Sequence, residues 1–517
     1  MSTGWKRNWN KAALSMIVAL VMLVVTACGE SGKNDASSAP GSSAPASASQ
    51  QAPSPEKQEP PFKLSMMNVY FNPDPPSNDN PILKEIQKRT NTELEMIWVP
   101  DAAYTDKINV TLASSTMPSV MIVQENFRPT VISAERAGVF WDLNPYLKDF
   151  PNLSQLNPAL VKATSVDGKL YGIYRARDLS RGGLIYRQDW LDAVGLQEPK
   201  TLDDFAKMLE AFSTQDPDKN GKKDTTGLSL SKDILGNIKN LRVWFGAPNS
   251  WSVDDSGKFT KDFHTPEYLN MLTFLRDMYA KGYINTDFPV VQDAKEPIIN
   301  GKAGSVLYCM CDVPDGQFDD LKKSNPNANI SFVNALEGPK GVITGADNGY
   351  NGLIMIPKKS VKTEEELKKV LGFLDQLASE EIRDLVGLGL EGVHHKVENG
   401  KVVIENEAYN KDVLPFGAFM IFPKTLVEST DPLVNRYRNF LNENEKIVVY
   451  NASAGLISDT DAEKGSQLFN LLNDAVVKYI TGSIDVNGWN DMIKQWIAAG
   501  GDQVTKEFEE GYAKANS

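Results

Sequence analysis

Between Phe62 and Val123 the spacing of apolar residues changes repeatedly, and this rhythm restricts the fold more than any other feature of the chain. Phe62, Leu64 and Met66 alternate with Lys63 and Ser65, the two-residue period of a strand. Pro81 then opens a helix carrying Ile82, Leu83 and Ile86, because its ring presets φ and its missing N–H is no loss at a helix start. Leu94, Met96 and Trp98 alternate again, a second helix is expected over 104–112, and Met117-Pro118 leads into the apolar run 120–123. The order β-α-β-α-β predicts the start of an α/β lobe with mostly parallel strands.

What precedes this lobe reads as an address and a tether. Lys6, Arg7 and Lys11 are followed by an uncharged apolar run over 12–25, then by Val25-Thr26-Ala27-Cys28-Gly29. The run is shorter than the roughly 20 residues a spanning helix needs. Residues 1–27 are therefore expected to be a secretory signal peptide. Small residues followed by Cys28 resemble the lipobox of bacterial lipoproteins. That resemblance implies cleavage before Cys28, lipidation of its thiol with palmitate in the anchor, and a place on the outer face of the membrane. From Gly29 to Pro61 almost nothing large is apolar, so with Cys28 the segment 28–61 is expected to be a flexible tether about 30 Å from end to end.

The rest, 62–517, is too long for one core and suits two lobes. A formal charge of −13, more negative still without the basic leader, argues against nucleic acid as a partner. Apart from Cys28 the cysteines are Cys309 and Cys311. A C-x-C pair closes a small, strained ring, so these two are expected to be buried thiols on one face of a strand.

The stretch 183–228 joins a strand, a helix and a loop, DPDKNGKKD, that alternates oxygen side chains at Asp216, Asp218, Asn220 and Asp224 around Gly221. Hard cations take such oxygens in a tight turn, with a backbone carbonyl from Lys222 in the seventh position. The twelfth position is Gly227 rather than a bidentate Glu, and Leu228-Ser229-Leu230-Ser231 looks extended, so the loop is not an EF-hand. It is expected to hold a structural Ca²⁺, the plain alternative being an acidic turn that caps the helix ending near Phe212.

Several motifs in fixed order carry a wider resemblance. DGKLYGIYR (167–175), LIYRQDWLDAVGL (184–196), PKTLDDFAKMLEAF (199–212) and DPDKNGKKDTTGL (216–228) are followed by DMYAKGYINTDFP (277–289), GKAGSV (301–306), GLEGVHHKVENGKV (389–402) and a C-terminal segment over 477–504. The chain resembles LipO-like extracellular solute-binding lipoproteins of Gram-positive bacteria, the family 1 receptors of ABC importers. The resemblance implies a two-lobed periplasmic-binding-protein-like fold of class II type with three interlobe crossings, near 171–174, 345–350 and 391–394. The first lobe would then hold 62–172 and 350–392, and the second 173–349 and 393–517. In sugar-binding receptors with a lone Ca²⁺ loop, Asp224 and Thr225 would complete the metal shell. The late strand over 353–356 and a helix capped at 358–360, holding Leu367, Val370, Leu371, Leu374 and Leu377, fit a return to the first lobe.

Ligands of open α/β lobes sit beyond the carboxyl ends of strands, and sugars need flat rings with planar polar groups beside them. That rule selects Asn68, Tyr70 and Phe71 after the first strand, Gln124 and Asn126 after the third, Tyr174 and Arg175 near the first crossing, and Tyr308. Trp244, Trp251, Asp347, Tyr350 and Asn351 join them, with Asn348. No H-E-x-x-H, G-x-S-x-G or phosphate-loop motif occurs, and the adjacent His394 and His395 would point to opposite faces of a strand. The expected function is capture of an oligosaccharide by a monomeric receptor and its delivery to membrane permease subunits. A secreted polysaccharide-modifying enzyme and a receptor for peptides or another non-sugar solute are the alternatives.

Overall fold

The computed structural model describes residues 60–70, 74–124, 127–423, 425 and 427–516. The expected signal peptide, Cys28 and the tether up to residue 59, together with Phe71 and Asn126, lie outside the described residues.

The opening rhythm folds as its spacing predicts. Strands β1 (Phe62–Tyr70), β2 (Thr92–Pro100) and β3 (Val120–Val123) alternate with helices α1 (Pro81–Thr90) and α2 (Asp101–Ala113). Asn80 caps α1, its Oδ1 accepting the N–H groups of Ile82 and Leu83, which would otherwise be orphaned. β1 runs parallel to both β2 and β3. Two later segments complete this five-stranded sheet: β4 (Gly172–Ala176) and the strand Tyr350–Met355, in the order β2-β1-β3-350/355-β4. The strand Tyr350–Met355 is antiparallel to both neighbours, so β4 points the same way as β1 and β3. A bulge interrupts it at Gly352, whose φ of +80° and close approach to the Val123 carbonyl leave no room for a side chain.

A second sheet of four strands has the order Ile330–Val333, β5 (Gly182–Arg187), Ala303–Cys309, β6 (Thr226–Ser229). Each sheet has its own apolar core. One gathers side chains from 64–176, 353–386 and 409–421, and the other, with its satellite, from 184–336 and 468–508. These are the two lobes of the α/β, periplasmic-binding-protein-like fold.

The lobe boundaries differ from those expected. β4 pairs within the first sheet, so the chain leaves the first lobe after Ala176 rather than at 172. The third passage lies between Ile421 and Leu433 rather than near 391–394, because the hairpin His395–Glu398/Lys401–Ile404 and the segment 409–421 pack back onto the first core. Alternation identifies strands but does not say which sheet they join. The helix Glu364–Leu377 buries the five expected apolar residues, yet its cap is Thr363, in a reciprocal box with Glu366, rather than 358–360.

The cysteines also depart from expectation. Cys309 and Cys311 form a disulfide. The strand ends at Cys309 and Met310–Asp312 turns as a 3₁₀ helix, so the two residues do not share a strand face and their Cα atoms come within 5.2 Å.

Candidate functional site

Because β1, β3 and β4 are parallel, their carboxyl ends lie on one edge of the first sheet. The ends of β1 and β4, at Tyr70 and Ala176, border a cavity of about 520 Å³ that is closed from the second lobe by Cys311, Asp312 and Tyr437. The segment 414–420, with Tyr409, Val386, Asp315 and Pro423, completes its wall. A larger groove of about 1190 Å³ runs between residues 144–168 and the C-terminal helix Asp502–Asn516. That groove touches Ser165 and Gly168, before the start of β4, and so sits at the opposite edge of the sheet. The cavity at the strand ends is the one in the position where open α/β folds hold ligands.

Three arginines, Arg175, Arg177 and Arg181, line the cavity together with three aspartates. Arg175, fully buried, donates through Nε to the Ala418 carbonyl at 2.8 Å and through Nη1 to the Asn351 carbonyl at 2.9 Å. Burial and the neighbouring Arg177 pull its pKa below the usual value for a guanidinium. The Arg177 guanidinium donates to the Ala176 carbonyl at 3.3 Å and is attracted by the Asp178 carboxylate. Arg181 lies 4.0 Å from Asp347, which already accepts from Lys239 at 2.7 Å. Three carboxylates share the cavity: Asp178 accepts from the Tyr437 hydroxyl at 3.2 Å, Asp312 from Lys295 at 2.8 Å, and Asp315 lies near Tyr437.

Of the residues selected from sequence, Tyr70 and Arg175 line this cavity. Asn68 is buried in β1, its Oδ1 accepting the Val69 N–H while Nδ2 has no partner. Tyr308 borders a neighbouring recess of about 240 Å³ with Lys239 and Asn240, and the ammonium of Lys295 lies 4.9 Å from its ring. Asp347 sits nearby, paired to Lys239. Asn351 contributes its carbonyl to Arg175, Tyr350 packs against the first core, and Tyr174 turns into that core with its hydroxyl accepting the Asn157 N–H. Gln124 is half-buried just after β3 and Asn348 is exposed.

Trp244 and Trp251 are corrections. Trp244 is wholly inside the second core, and Trp251 packs among Phe259, Trp496 and Phe508. Neither lies at the cleft, because a tryptophan with enough apolar neighbours is worth more inside than against a ligand. His394 is buried in the first lobe, where Nδ1 accepts the Leu390 N–H. Arg177, Arg181, Asp178, Tyr409 and Tyr437 were not selected, although the alternation Arg175-Ala176-Arg177 already places charge along the crossing.

The oxygen-rich loop folds as a compact turn. The Asp216 carboxylate accepts from the Asn220 and Gly221 N–H groups, and the Asn220 amide donates to Asp218 at 2.7 Å and to Asp224 at 3.1 Å. Gly221 takes the left-handed φ of +78° that the bend requires. Burial, then Asp216 and Asp224, pushes the Asp218 carboxyl above its usual range, while Lys302 at 2.7 Å holds Asp224 below it. The side-chain oxygens are of the kind a hard cation takes, with the Asn220 amide nitrogen turned toward Asp218 and Asp224 and its Oδ1 accepting the Lys222 N–H. The Thr225 hydroxyl instead donates to the Phe212 carbonyl at the end of helix Leu202–Thr214, so that side chain is committed elsewhere.

The model for bacterial extracellular solute-binding proteins matches residues 82–381. Lipoprotein LipO of Bacillus subtilis is 40% identical over 465 residues, covering 87% of this chain and 92% of LipO. The chain belongs to the bacterial extracellular solute-binding proteins. A second relative in this family, the polygalacturonan/rhamnogalacturonan-binding protein YtcQ of Bacillus subtilis, is 37% identical over 462 residues, 88% of this chain and 92% of YtcQ. Among solved structures, the ABC-transporter substrate-binding protein FusA of Streptococcus pneumoniae in complex with kestose superposes with a TM-score of 0.65 at 20% identity, over 88% of this chain and all of FusA. That likeness fixes the two-lobed fold. As a solute-binding protein the chain works by capture rather than by catalysis, and the enzyme alternative falls with it.

Proposed function

We propose that this solute-binding protein captures an oligosaccharide in the cavity between its lobes and delivers it to the permease subunits of an ABC importer. The observation that carries the reading is the cavity itself, placed at the carboxyl ends of β1 and β4 with Tyr70, Tyr409 and Tyr437 in its walls. Aromatic faces pack on the C–H faces of pyranoses, and the surrounding guanidinium and carbonyl groups satisfy hydroxyls. The names of the relatives support a saccharide, since YtcQ is named as polygalacturonan/rhamnogalacturonan-binding and FusA is seen in complex with kestose.

Capture works by hinge closure. A ligand that touches both lobes binds the closed arrangement better and shifts the population toward it, and the permease reads the closed face. Cys28, lipidated after removal of 1–27, holds the receptor on the outer face of a Gram-positive membrane, and the tether lets the monomer reach its permease. In the second lobe, Asp216, Asp218, Asn220 and Asp224, with the Lys222 carbonyl, would hold Ca²⁺. The ion supplies charge that offsets the clustered carboxylates. The loop is a staple, away from the cavity.

A thermal-shift screen of the full chain against a broad panel of oligosaccharides, with peptides as controls, tests the reading. A saccharide that raises Tm in a saturable, concentration-dependent way is expected. A panel without any shift, or a shift with peptides alone, would overturn it.

A further inference from the structure

The recess of about 240 Å³ beside the cavity lies at the carboxyl end of the strand Ala303–Cys309, against the helix Lys239–Trp244 of the second lobe. The Cys309–Cys311 disulfide stands between the two spaces, since Cys309 borders the recess and Cys311 the cavity. Of the two charged groups in the recess, Lys239 pairs with Asp347 at 2.7 Å and Asp233 accepts the Gly236 N–H. Its neutral groups are less occupied. Asn240 is only 6% exposed, yet its side-chain amide bonds to no described residue. The Asn237 Oδ1 accepts from the Ser231 N–H and hydroxyl, which leaves its Nδ2 unused among the described residues. The Tyr308 hydroxyl is unused in the same sense. Glycine at 182 makes room for this arrangement, because a Cβ there would collide with the Asn240 Nδ2.

A nearly buried amide with neither end bonded is costly in a folded protein unless something completes it. Amides donate and accept at once, so they match neighbouring hydroxyls, and a phenol adds a ring face for C–H groups. The ring of Tyr308 is held in place from the cavity side, with the Lys295 ammonium 4.9 Å from its centre and 2.8 Å from Asp312 of the cavity wall. From this we infer that the recess is a second subsite, in which Asn237, Asn240 and Tyr308 hold one residue of a saccharide chain that crosses the Cys309–Cys311 disulfide from the cavity. The inference rests on the saccharide reading above. It adds a minimum length for the ligand, enough to reach both spaces, and the residues that read its far end.

The test is calorimetric titration of the full chain in detergent with digalacturonate and tetragalacturonate, and with sucrose and nystose as a neutral pair, repeated with Asn240→Ala, Tyr308→Phe and Gly182→Ala. In at least one pair the longer sugar should bind roughly tenfold tighter or more, through the hydrogen bonds and ring contact of the recess. Asn240→Ala should lower that long-to-short ratio by roughly 10-fold and Tyr308→Phe, which loses a single hydroxyl, by roughly threefold. Gly182→Ala keeps the amide but displaces it, so its ratio should fall as far as that of Asn240→Ala. Near-ultraviolet circular dichroism shows whether the variants are folded; Tyr308→Phe decides if the other two are not, and the ratio of the unaltered chain decides if none is. Equal affinity for short and long sugars in both pairs, a ratio that the folded variants leave unchanged, or an equal loss at both lengths overturns the inference and leaves the receptor reading standing. Absence of binding to all four sugars overturns both.

Discussion

The Nε of Arg175 donates to the carbonyl of Ala418 at 2.8 Å, tying the end of β4 to the segment that leads into the last passage between the lobes. The same side chain reaches Asn351, beside the second passage, at 2.9 Å. Backbone bonds run parallel to it, from the Ala176 N–H to Met420 and from the Arg177 N–H to Gly349. One buried side chain thus joins all three crossing segments where hinge closure must bend.

This makes Arg175 a hinge residue before it is a ligand residue, although it borders the cavity. Lysine keeps the charge but is a point donor that cannot span two carbonyls. Arg175→Lys should therefore lower the unfolding free energy by about 1–3 kcal/mol, the cost of one orphaned buried carbonyl. Urea denaturation measures it. Hydrogen exchange should quicken at the Ala176 and Arg177 amides. Unchanged exchange there would mean that the backbone bonds alone hold the hinge.

Glu135, at the end of the helix Pro129–Arg136, has both carboxylate oxygens buried without partners. Burial pushes its pKa up to about 8, against the opposing pull of Arg136. The folded state holds the proton more tightly than the unfolded chain. Its contribution to stability is therefore complete below the ordinary glutamate pKa of about 4.3 and is lost as pH rises toward 8. Glu135→Gln removes the titration while keeping the shape. Between pH 5 and pH 8 the stability of the natural protein should fall relative to this variant, by up to about 1.4 kcal/mol per pH unit. Parallel pH profiles of Tm would expose an error in this assignment.

The fold was more legible in the sequence than the cavity, for physical reasons. Period-two and helical spacing reveal β1 to β3 and α1 to α2 because burial of one face is a local requirement. Membership of a sheet is not local, which is why alternation alone does not place the hairpin at His395–Ile404 against the first core. Residue type could not separate cleft from core among aromatics: Trp251 meets Phe508, which is distant in the chain, and no neighbour in sequence announces it. Arg177 and Arg181 escaped selection because an arginine in a connecting segment reads as surface charge until the crossing folds it under the other lobe.

Arg136 reaches across the lobes. It pairs with Asp167 at 2.9 Å in its own lobe and with Asp459, at the start of the helix Asp459–Ile480, at 3.1 Å. Both ends of the interlobe pair are well exposed to water, so the pair contributes at most about 1 kcal/mol. Asp459→Asn should weaken saccharide binding by less than about fivefold, with the effect disappearing in 1 M salt. A larger, salt-insensitive loss would assign the residue a role in the binding site.

In the loop 216–224, Lys302 takes the place beside Asp224 that a cation would share, its Nζ lying 2.7 Å from Oδ2. Ammonium and Ca²⁺ then compete for the same oxygen. Lys302→Met should tighten Ca²⁺ binding, whereas Asp218→Ala should weaken it and lower Tm in the presence of Ca²⁺. Because the loop lies outside the cavity, neither substitution should alter saccharide affinity in folded protein by more than about twofold, a shift of roughly 0.4 kcal/mol. Chelator titrations followed by Tm measure the metal, and calorimetry with and without chelator measures the sugar. If Lys302→Met left Ca²⁺ affinity unchanged, the ammonium would be a bystander. If Asp218→Ala abolished sugar binding in a folded chain, the loop would have to belong to the ligand site.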